Sequence, residues 1–280
     1  MPVFLGGGAL WLTILVLGMF GCWYWYRERY TIQETQYTLH LANLPKALDG
    51  LTILHLSDLH SKQFGQRQAK LLRVINRQPY DLVALTGDFV NKFRPDLQPM
   101  ADLLNGLRPV PIFFVPGNHE WTTGFKAKDL LLNAGVRVLE NQAEPFGLKG
   151  QQIWIVGVDD PYLHKDQLDQ ALAPADGPGP KILLTHSPNV YPEAVKNKLD
   201  LVLAGHTHGG QVRLPFIGAA IAPGQGLFPR WDYGIYQQDL STMIISCGLG
   251  ESDLPIRFNI KPEVVRITLR SDYSLTAEHK

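Results

Sequence analysis

Short apolar runs recur along the chain, and each run ends abruptly in small polar residues. The clearest runs are residues 51–56, 82–85, 110–115, 182–184 and 199–203. Apolar runs of this length, bounded by turn-forming residues, are typical of buried strands. Segments with helical spacing separate the early runs, at Gln66 to Asn76 and at Met100 to Leu107. This alternation of strands and helices predicts an α/β fold.

Weaker patterns predict the flanking elements. A further helix is expected at Lys128 to Ala134. Further strands are expected at Tyr37 to Leu41, Arg137 to Leu139, Gln152 to Val158, Met243 to Ile245 and Val264 to Leu269. No internal repeat and no change of composition divides the chain after residue 30. We therefore predict one domain over residues 31–280.

The N-terminal segment has a different character. Met1 to Tyr26 carries no charged side chain, and a helix of this length crosses the ~30 Å hydrocarbon core of a bilayer. Its aromatic end, followed by Arg27 and Arg29, resembles an interfacial belt, and it lacks the features of a cleaved signal peptide. We predict that residues 1–30 form a single-pass anchor in the inner (cytoplasmic) membrane, with the following domain in the cytoplasm. The alternative is a buried N-terminal helix.

Charge and cysteine content exclude several classes of partner and site. The chain has 26 Lys and Arg residues against 26 Asp and Glu residues, and it has no basic run. This balance argues against nucleic acid as a partner. The two cysteines, Cys22 and Cys247, are far apart and outside any CxxC spacing. Neither a disulfide framework nor a thiolate metal site is expected.

The polar groups after the apolar runs are rich in metal-binding side chains. They are Asp58 with His60, Asp88, Asn118 with His119, His186, and His206 with His208. Strand ends in an α/β sheet meet at one edge, so these side chains are expected to form one site. Imidazole, carboxylate and amide donors suit Mn²⁺, Zn²⁺ or iron. The donors are too many for one ion and fit two, an arrangement that serves displacement at phosphorus.

Other polar residues receive simpler interpretations. His55 lies inside an apolar strand and is expected in the core, whereas Glu120 is expected to support its loop. Asp159 and Asp160 are interpreted as part of a turn. The segment Leu214 to Pro229 has no charge and is rich in Gly, Pro and apolar residues. It is expected to form a packed loop or, alternatively, a lip beside the metal site that faces lipid or acyl chains.

The order of the motifs resembles a known family. Asp-Leu-His, Gly-Asp, Gly-Asn-His-Glu, a lone His after a strand, and Gly-His-Thr-His occur here as in the calcineurin-like metallophosphoesterases. The resemblance covers roughly residues 37 to 270. Gly-Gly-Gln after the last motif, and Leu254 to Phe258, resemble the bacterial membrane-associated phosphodiesterase branch. Some members of that branch look like UDP-diacylglucosamine hydrolases.

The resemblance implies a four-layer α/β/β/α sandwich and two divalent metal ions. Carried over residue by residue, it implies that one ion is held by Asp58, His60 and His208. The other ion would be held by Asn118, His186 and His206. Asp88 would bridge the two ions. His119 would act as the general acid that protonates the leaving oxygen, or would stabilise charge on the phosphoryl group.

We therefore predict a dinuclear-metal phosphodiesterase or pyrophosphatase that acts on a membrane-linked phosphorylated substrate such as UDP-diacylglucosamine. The alternatives are a general phosphodiesterase or phosphatase, and a membrane scaffold that uses the same fold. A Ser/Thr protein phosphatase is disfavoured, because residues 89–92 replace the Asp-Arg-Gly signature of that family. The sequence predicts nothing about the oligomeric state.

Overall fold

The computed structural model describes residues 6–148, 150–252 and 254–271. The α-helices are α1 (Gly6–Tyr30), α2 (Ala69–Ile75), α3 (Gln98–Gly106), α4 (Asn118–Thr122), α5 (Lys128–Asn133), α6 (Leu168–Leu172) and α7 (Tyr191–Lys196). The first strands are β1 (Gln33–Leu41), β2 (Thr52–Leu56), β3 (Leu82–Thr86), β4 (Ile112–Val115), β5 (Arg137–Val138), β6 (Gln142–Leu148), β7 (Gln151–Gly157), β8 (Lys181–Leu184) and β9 (Leu201–Ala204). The later strands are β10 (Arg213–Leu214), β11 (Gly218–Ala219), β12 (Ile221–Ala222), β13 (Gly226–Leu227), β14 (Gly234–Gln238), β15 (Ser241–Ile245) and β16 (Glu263–Ser271).

Two six-stranded sheets form the centre of the molecule. Their strand orders are β1-β16-β2-β3-β4-β5 and β14-β15-β9-β8-β7-β6. Strands β2 to β5 are parallel in the first sheet, as are β7, β8, β9 and β15 in the second. The carboxyl ends of β2, β3 and β4 therefore share one edge of the first sheet, and those of β8 and β9 share one edge of the second.

The two sheets pack face to face between two layers of helices. Leu82 and Ala84 of β3 lie in the central cluster with Leu203 of the opposite sheet. Val83 and Leu85 of the same strand face outward onto α2, α3 and α5. Helices α6 and α7 cover the outer face of the second sheet. Because both faces of each central strand are buried, its apolar run is continuous. The predicted α/β/β/α sandwich is confirmed.

Several elements differ from the sequence prediction. The helix expected from Gln66 begins only at Ala69, because Arg67 and Gln68 adopt left-handed backbone angles, with φ of 48° and 58°. The Gln68 side chain fixes this turn by accepting a hydrogen bond from the Phe64 N–H (2.9 Å). Strands β6 and β14 and helices α6 and α7 have no clear sequence pattern. Strand β6 contains Pro145, which is tolerated because β6 lies at the edge of its sheet.

Helix α1 is long and apolar enough to cross a membrane, and its apolar stretch is not covered by the rest of the described chain. The alternative of a buried N-terminal helix is therefore wrong. Only its last turns contact the domain. The Tyr24 ring lies 5.7 Å from the Phe258 ring, and Glu28 Oε2 accepts a hydrogen bond from the Ile260 N–H (3.1 Å). The helix thus ends in a docked segment rather than in a free linker.

Two short hairpins, β10–β11 and β12–β13, follow the last of the polar motifs. We call residues 213–228 the lip. Each hairpin has only two paired positions per strand, and each buries one small side chain, Ala219 or Ala222. Phe216, Leu227 and Phe228 are largely exposed. The expectation of a packed loop is wrong for these side chains.

Candidate metal centre

All eight predicted site residues converge where the parallel strands of the two sheets end. Every one of them is buried, and they are Asp58, His60, Asp88, Asn118, His119, His186, His206 and His208. Each follows a strand directly: β2, β3, β4, β8 or β9. Along the sequence these residues lie in five separate motifs, and the packing of the two sheets brings the motifs together.

The backbone at the site is held in an uncommon conformation. Asp58, His60, Asp88, His206 and His208 have φ of 52°, 49°, 57°, 69° and 51°. A non-glycine residue in the left-handed region costs about 1 kcal/mol or more, so the surrounding structure must impose this geometry. Backbone hydrogen bonds from Asp58 N to Gly87 O (3.0 Å) and from His60 N to Asp88 O (2.9 Å) link the two turns.

Two glycines allow the strand ends to approach so closely. A Cβ atom at Gly205 would lie 1.9 Å from Ser57 Oγ and 2.3 Å from Asp58 Oδ2. A Cβ atom at Gly117 would lie 2.3 Å from Asp88 Oδ1. Any larger residue at these positions would displace the carboxylates.

The first group of donors consists of Asp58, His60 and His208. The Nε2 atoms of His60 and His208 lie 3.1 Å apart. Asp58 Oδ1 lies 3.8 Å from His60 Nε2 and 3.4 Å from His208 Nε2. The other carboxylate oxygen, Asp58 Oδ2, accepts a hydrogen bond from the Ser57 hydroxyl (2.5 Å). Oδ2 of Asp58 is thus held by Ser57, while Oδ1 faces the imidazole rings of His60 and His208.

The second group contains Asp88, His186, His206 and Asn118. His186 Nε2 lies 3.3 Å from Asp88 Oδ2 and 3.0 Å from His206 Nδ1. The Nδ1–H of His186 donates to the carbonyl of Thr86 (2.8 Å), which directs Nε2 into the site. The buried Oδ1 of Asn118 has no hydrogen-bond partner among the described residues. An unpaired buried amide oxygen beside imidazole nitrogens is the environment a metal cation would satisfy.

Asp88 connects the two groups. Its Oδ1 accepts a hydrogen bond from the backbone N–H of His119 (2.9 Å). Its Oδ2 lies 3.7 Å from Nε2 of His60 and 3.3 Å from Nε2 of His186. A single carboxylate oxygen therefore reaches both groups of donors.

The electrostatic field of the site favours cations. Burial lowers the pKa of His186, but Asp88 and Asp58 outweigh it and hold that pKa well above its usual value. Burial raises the pKa of Asp88, but the imidazoles of His186, His119 and His60 outweigh it and hold that pKa well below its usual value. The negative potential that attracts a proton to His186 equally attracts a divalent metal ion. The donor set therefore fits metal ions.

His119 is oriented differently from the other imidazoles. Its Nδ1 accepts a hydrogen bond from the backbone N–H of Lys92 (3.1 Å), so the neutral ring carries its proton on Nε2. That Nε2 lies 3.8 Å from Asp88 Oδ2. Burial lowers the pKa of His119 to about 4. The ring thus presents an N–H to the site, whereas His186 presents an acceptor or a metal-binding lone pair.

Glu120 organises the loops around Asp88. Its two carboxylate oxygens accept hydrogen bonds from four backbone N–H groups. These belong to Asp88 (2.7 Å), Phe89 (2.8 Å), Val90 (3.2 Å) and Gly117 (2.9 Å). The side chain therefore joins the loop after β3 to the loop after β4. His55, by contrast, lies in the core, where its Nε2 is 2.8 Å from Thr86 Oγ1.

Two residues near the site were not predicted. Asp160 is fully buried, its Oδ2 has no hydrogen-bond partner among the described residues, and burial raises its pKa to about 6. The Tyr162 ring lies 4.7 Å from the His206 ring. The acidic pair at 159–160 was a sequence signal, but its interpretation as a turn gave no reason to place it near His186. Tyr162 had no signal at all.

A cleft of about 450 Å³ opens from the metal-site residues to the surface. Asp88, Asn118 and His119 lie on its inner side. Ile221 of the lip and Leu254 lie on its outer side. The cleft therefore has a polar floor and an apolar margin.

Comparisons with known proteins agree with this geometry. Residues 51–210 match the family described as calcineurin-like phosphoesterase. The chain is 32% identical over 256 residues to the metallophosphoesterase YkuE of Bacillus subtilis, covering 88% of each protein. It is 29% identical over 231 residues to the phosphodiesterase YaeI of Escherichia coli, covering 78% of this chain and 81% of YaeI.

A further relative comes from an animal. The chain is 29% identical over 245 residues to a zebrafish (Danio rerio) protein named transmembrane protein with metallophosphoesterase domain. The match covers 81% of this chain and 55% of that protein. The family match spans every one of the five motifs and thus the whole site. The chain belongs to the calcineurin-like phosphoesterase family and is a metal-dependent phosphoric ester hydrolase.

Proposed function

We propose that the chain is a dinuclear-metal phosphodiesterase anchored in a membrane by α1. The observation that carries the dinuclear assignment is the position of Asp88 Oδ2, which lies within 4 Å of an imidazole nitrogen from each donor group. Two ions held at these neighbouring donor groups would stabilise both the attacking and the leaving oxygen at phosphorus.

In this proposal each residue of the site has one role. One ion would be held by Asp58, His60 and His208. The other ion would be held by Asn118, His186 and His206, and Asp88 would contribute to both. When bound, two divalent ions of Mn, Zn or Fe supply Lewis-acid stabilisation of the phosphate oxygens and lower the pKa of water.

His119 supplies a hydrogen-bond donor. The neutral ring carries its proton on Nε2, because Nδ1 already accepts the Lys92 N–H. That Nε2 lies 3.8 Å from Asp88 Oδ2. We assign this N–H to stabilising negative charge on the phosphoryl group, a role worth about 10²-fold or more in rate. Protonation of the leaving oxygen by His119 is the alternative, and it would require the imidazolium form, in which Nδ1 no longer accepts from Lys92.

The membrane assignment rests on α1 and on the apolar margin of the cleft. Its apolar length supports a single-pass anchor, and the name of the zebrafish relative agrees with one. Arg27 and Arg29 in the last turn support a cytoplasmic catalytic domain at the inner membrane. Such a position gives access to phosphodiesters or pyrophosphates carried by lipids. UDP-diacylglucosamine is the narrowest form of this proposal, and a general phosphodiesterase or phosphatase is the alternative.

The mechanism is tested with full-length protein loaded with Mn²⁺ and with bis(p-nitrophenyl) phosphate as the probe. We expect Asp88→Asn to lose metal and about 10³-fold in kcat/KM, since Lewis-acid stabilisation is worth several kcal/mol. We expect His119→Ala to keep its metal and lose about 10²-fold or more. His40→Ala, at an exposed position on β1, is the control. Full activity of either site variant would contradict the mechanism.

Two further measurements separate the alternatives. Elemental analysis of the purified protein should give two ions per chain, and a value below one would favour the membrane scaffold. Hydrolysis of UDP-diacylglucosamine by protein that already cleaves the soluble probe would establish the lipid substrate. Without such turnover, the general phosphodiesterase would stand.

A further inference from the structure

The lip exposes apolar side chains to an unusual degree. The exposed fractions are 110% for Phe216, 74% for Phe228, 70% for Leu227 and 59% for Ile217. Leu214 to Pro229 contains no charged residue. Soluble proteins rarely leave such side chains together in water, and a patch of this kind marks a surface that meets another apolar phase.

The lip is continuous with the docked end of α1. The Tyr24 hydroxyl donates to Asn259 Oδ1 (2.9 Å), and the Tyr24 ring packs on Phe258. The Phe258 backbone and the Asn259 side chain in turn bond to Arg213, the first residue of the lip. Arg213 N donates to Phe258 O (3.0 Å), and Asn259 Nδ2 donates to Arg213 O (3.2 Å). Phe258 and Asn259 therefore link the end of α1 directly to Arg213 on the first lip hairpin.

The lip is also continuous with the cleft. Ile221 lies on β12 of the lip, is 56% exposed, and lines the cleft together with Leu254, which is 61% exposed. His206 and His208 line the same cleft. Exposed apolar side chains thus lie near the docked end of α1, on the lip and at the margin of the cleft.

We propose that the lip inserts into the interfacial region of the same bilayer that α1 spans, so that the cleft opens onto the lipid surface. The inference rests on the membrane anchor proposed above. A bilayer is the occupant that the structure favours, because it already surrounds the helix to which the lip is joined. Aromatic and aliphatic side chains on short loops are suited to the headgroup and acyl boundary. Arg230, exposed directly after the lip, is placed to meet anionic headgroups.

The test places a reporter on single positions of the full-length protein in nanodiscs of phosphatidylcholine and phosphatidylglycerol. Cys22→Ser removes the exposed thiol, and Cys247 is buried. An environment-sensitive fluorophore is then attached at Phe216→Cys or Phe228→Cys. Leu15→Cys in α1 reports the bilayer. Leu132→Cys on α5 is the matched control, because Leu132 is an exposed leucine (52%) outside the lip.

We expect spin-labelled lipids to quench the reporter at 216 and 228 at least about half as strongly as at 15, and to leave the reporter at 132 unquenched. Equal, aqueous behaviour at 216, 228 and 132 would overturn the proposal. Protection from iodide without lipid quenching would also overturn it, because the lip would then contact a protein or a second copy.

The experiment separates this inference from the proposed function. Lipid quenching requires no turnover. Quenching at 216 and 228 in an inactive enzyme would therefore still support insertion of the lip. An active enzyme whose reporters at 216 and 228 are not quenched by lipid would overturn it. Thermal denaturation of each labelled variant, compared with that of the unlabelled protein, verifies that the label has not unfolded the domain and does not depend on turnover.

Discussion

The metal centre and the lip lie side by side but are built on opposite principles. The metal centre gathers polar side chains that are buried at the ends of parallel strands. The lip gathers apolar side chains that are exposed on two hairpins with two-residue strands. Each region reverses the usual rule that apolar residues lie inside and polar residues outside. Both reversals border the same cleft.

The difference shows how the two regions are stabilised. Around Asp88, backbone hydrogen bonds, the Glu120 carboxylate and two packed sheets hold the polar groups in place. The lip is fixed mainly at its base, where Asp232 accepts a hydrogen bond from Arg213 (2.6 Å). The rigid surroundings of Asp88 suit the placement of reacting atoms to within about 0.5 Å, whereas the weakly held lip suits contact with a fluid surface.

The largest effect is expected from Gly205→Ala. The new Cβ would meet Ser57 Oγ and Asp58 Oδ2 at 1.9 and 2.3 Å, so Asp58 must move away from its histidine partners. We expect kcat/KM on the soluble probe to fall by about 10²-fold or more, since displacements near 1 Å have that effect. Gly177→Ala, where the backbone is not left-handed and a Cβ would meet Trp154 only at 3.4 Å, should retain activity. Equal kinetics for the two variants would contradict the rigidity of the floor.

Glu120→Gln should chiefly lower stability. One oxygen becomes an NH₂ group that faces backbone N–H donors from Asp88, Phe89 or Gly117. We expect a loss of about 3 kcal/mol in the free energy of unfolding, measured by thermal or urea denaturation of the detergent-solubilised protein. Glu140→Gln, which removes a more exposed ion pair with Lys128 (2.8 Å), should cost less than about 1 kcal/mol. A larger effect at Glu140 would refute this assignment.

Glu251→Gln tests the connection between the membrane helix and the metal centre. Glu251 Oε1 accepts from Lys62 Nζ (2.6 Å) and Arg29 Nε (3.0 Å), and the site is largely buried. Neutralising it leaves two cations without their partner, which should cost about 2 kcal/mol. We also expect faster proteolysis near the end of α1. An unchanged cleavage rate would mean that the other contacts of Tyr24 and Glu28 are sufficient for docking.

The smallest expected effect is a pH-dependent loss of folding stability when Asp232, at the base of the lip, is substituted. Burial raises the pKa of Asp232, but hydrogen bonds from Tyr236 and Arg213 outweigh it, and the pKa lies below its usual value. A lowered pKa in the folded state stabilises the protein above the unfolded value, about 4, and this stabilisation is lost as pH falls through the folded value. We expect Asp232→Asn to cost about 1 kcal/mol at pH 7. The difference from wild type should shrink below about pH 4, and a constant difference would contradict the account.

The residues of the candidate site could be proposed from the sequence because each signal is local. A buried strand, a turn and a donor follow one another within ten residues, as from Leu51 to His60. The sandwich itself was accessible only through the resemblance. Its strand order depends on pairings such as Gln33 with Glu263, across most of the chain, and no local pattern encodes them.

The lip and the docking of α1 were less accessible for a physical reason. An apolar segment such as Leu214 to Pro229 is compatible with both burial and exposure, and the outcome depends on whether a packing surface lies nearby. Tyr162 reaches His206, and Tyr24 reaches Phe258, only through tertiary contacts. Residues of this kind are found by distance in space, not by spacing in sequence.

In the proposed membrane anchor, the docked end of α1 would make bilayer thickness a variable of the enzyme. A transmembrane helix longer than the local hydrocarbon core tilts to keep its apolar residues covered. Because Tyr24 and Glu28 fix the helix to the domain, any such tilt rotates the domain by the same angle. Lipid composition would then set the angle at which the cleft meets the surface. The membrane would act as a mechanical input to the enzyme as well as its location.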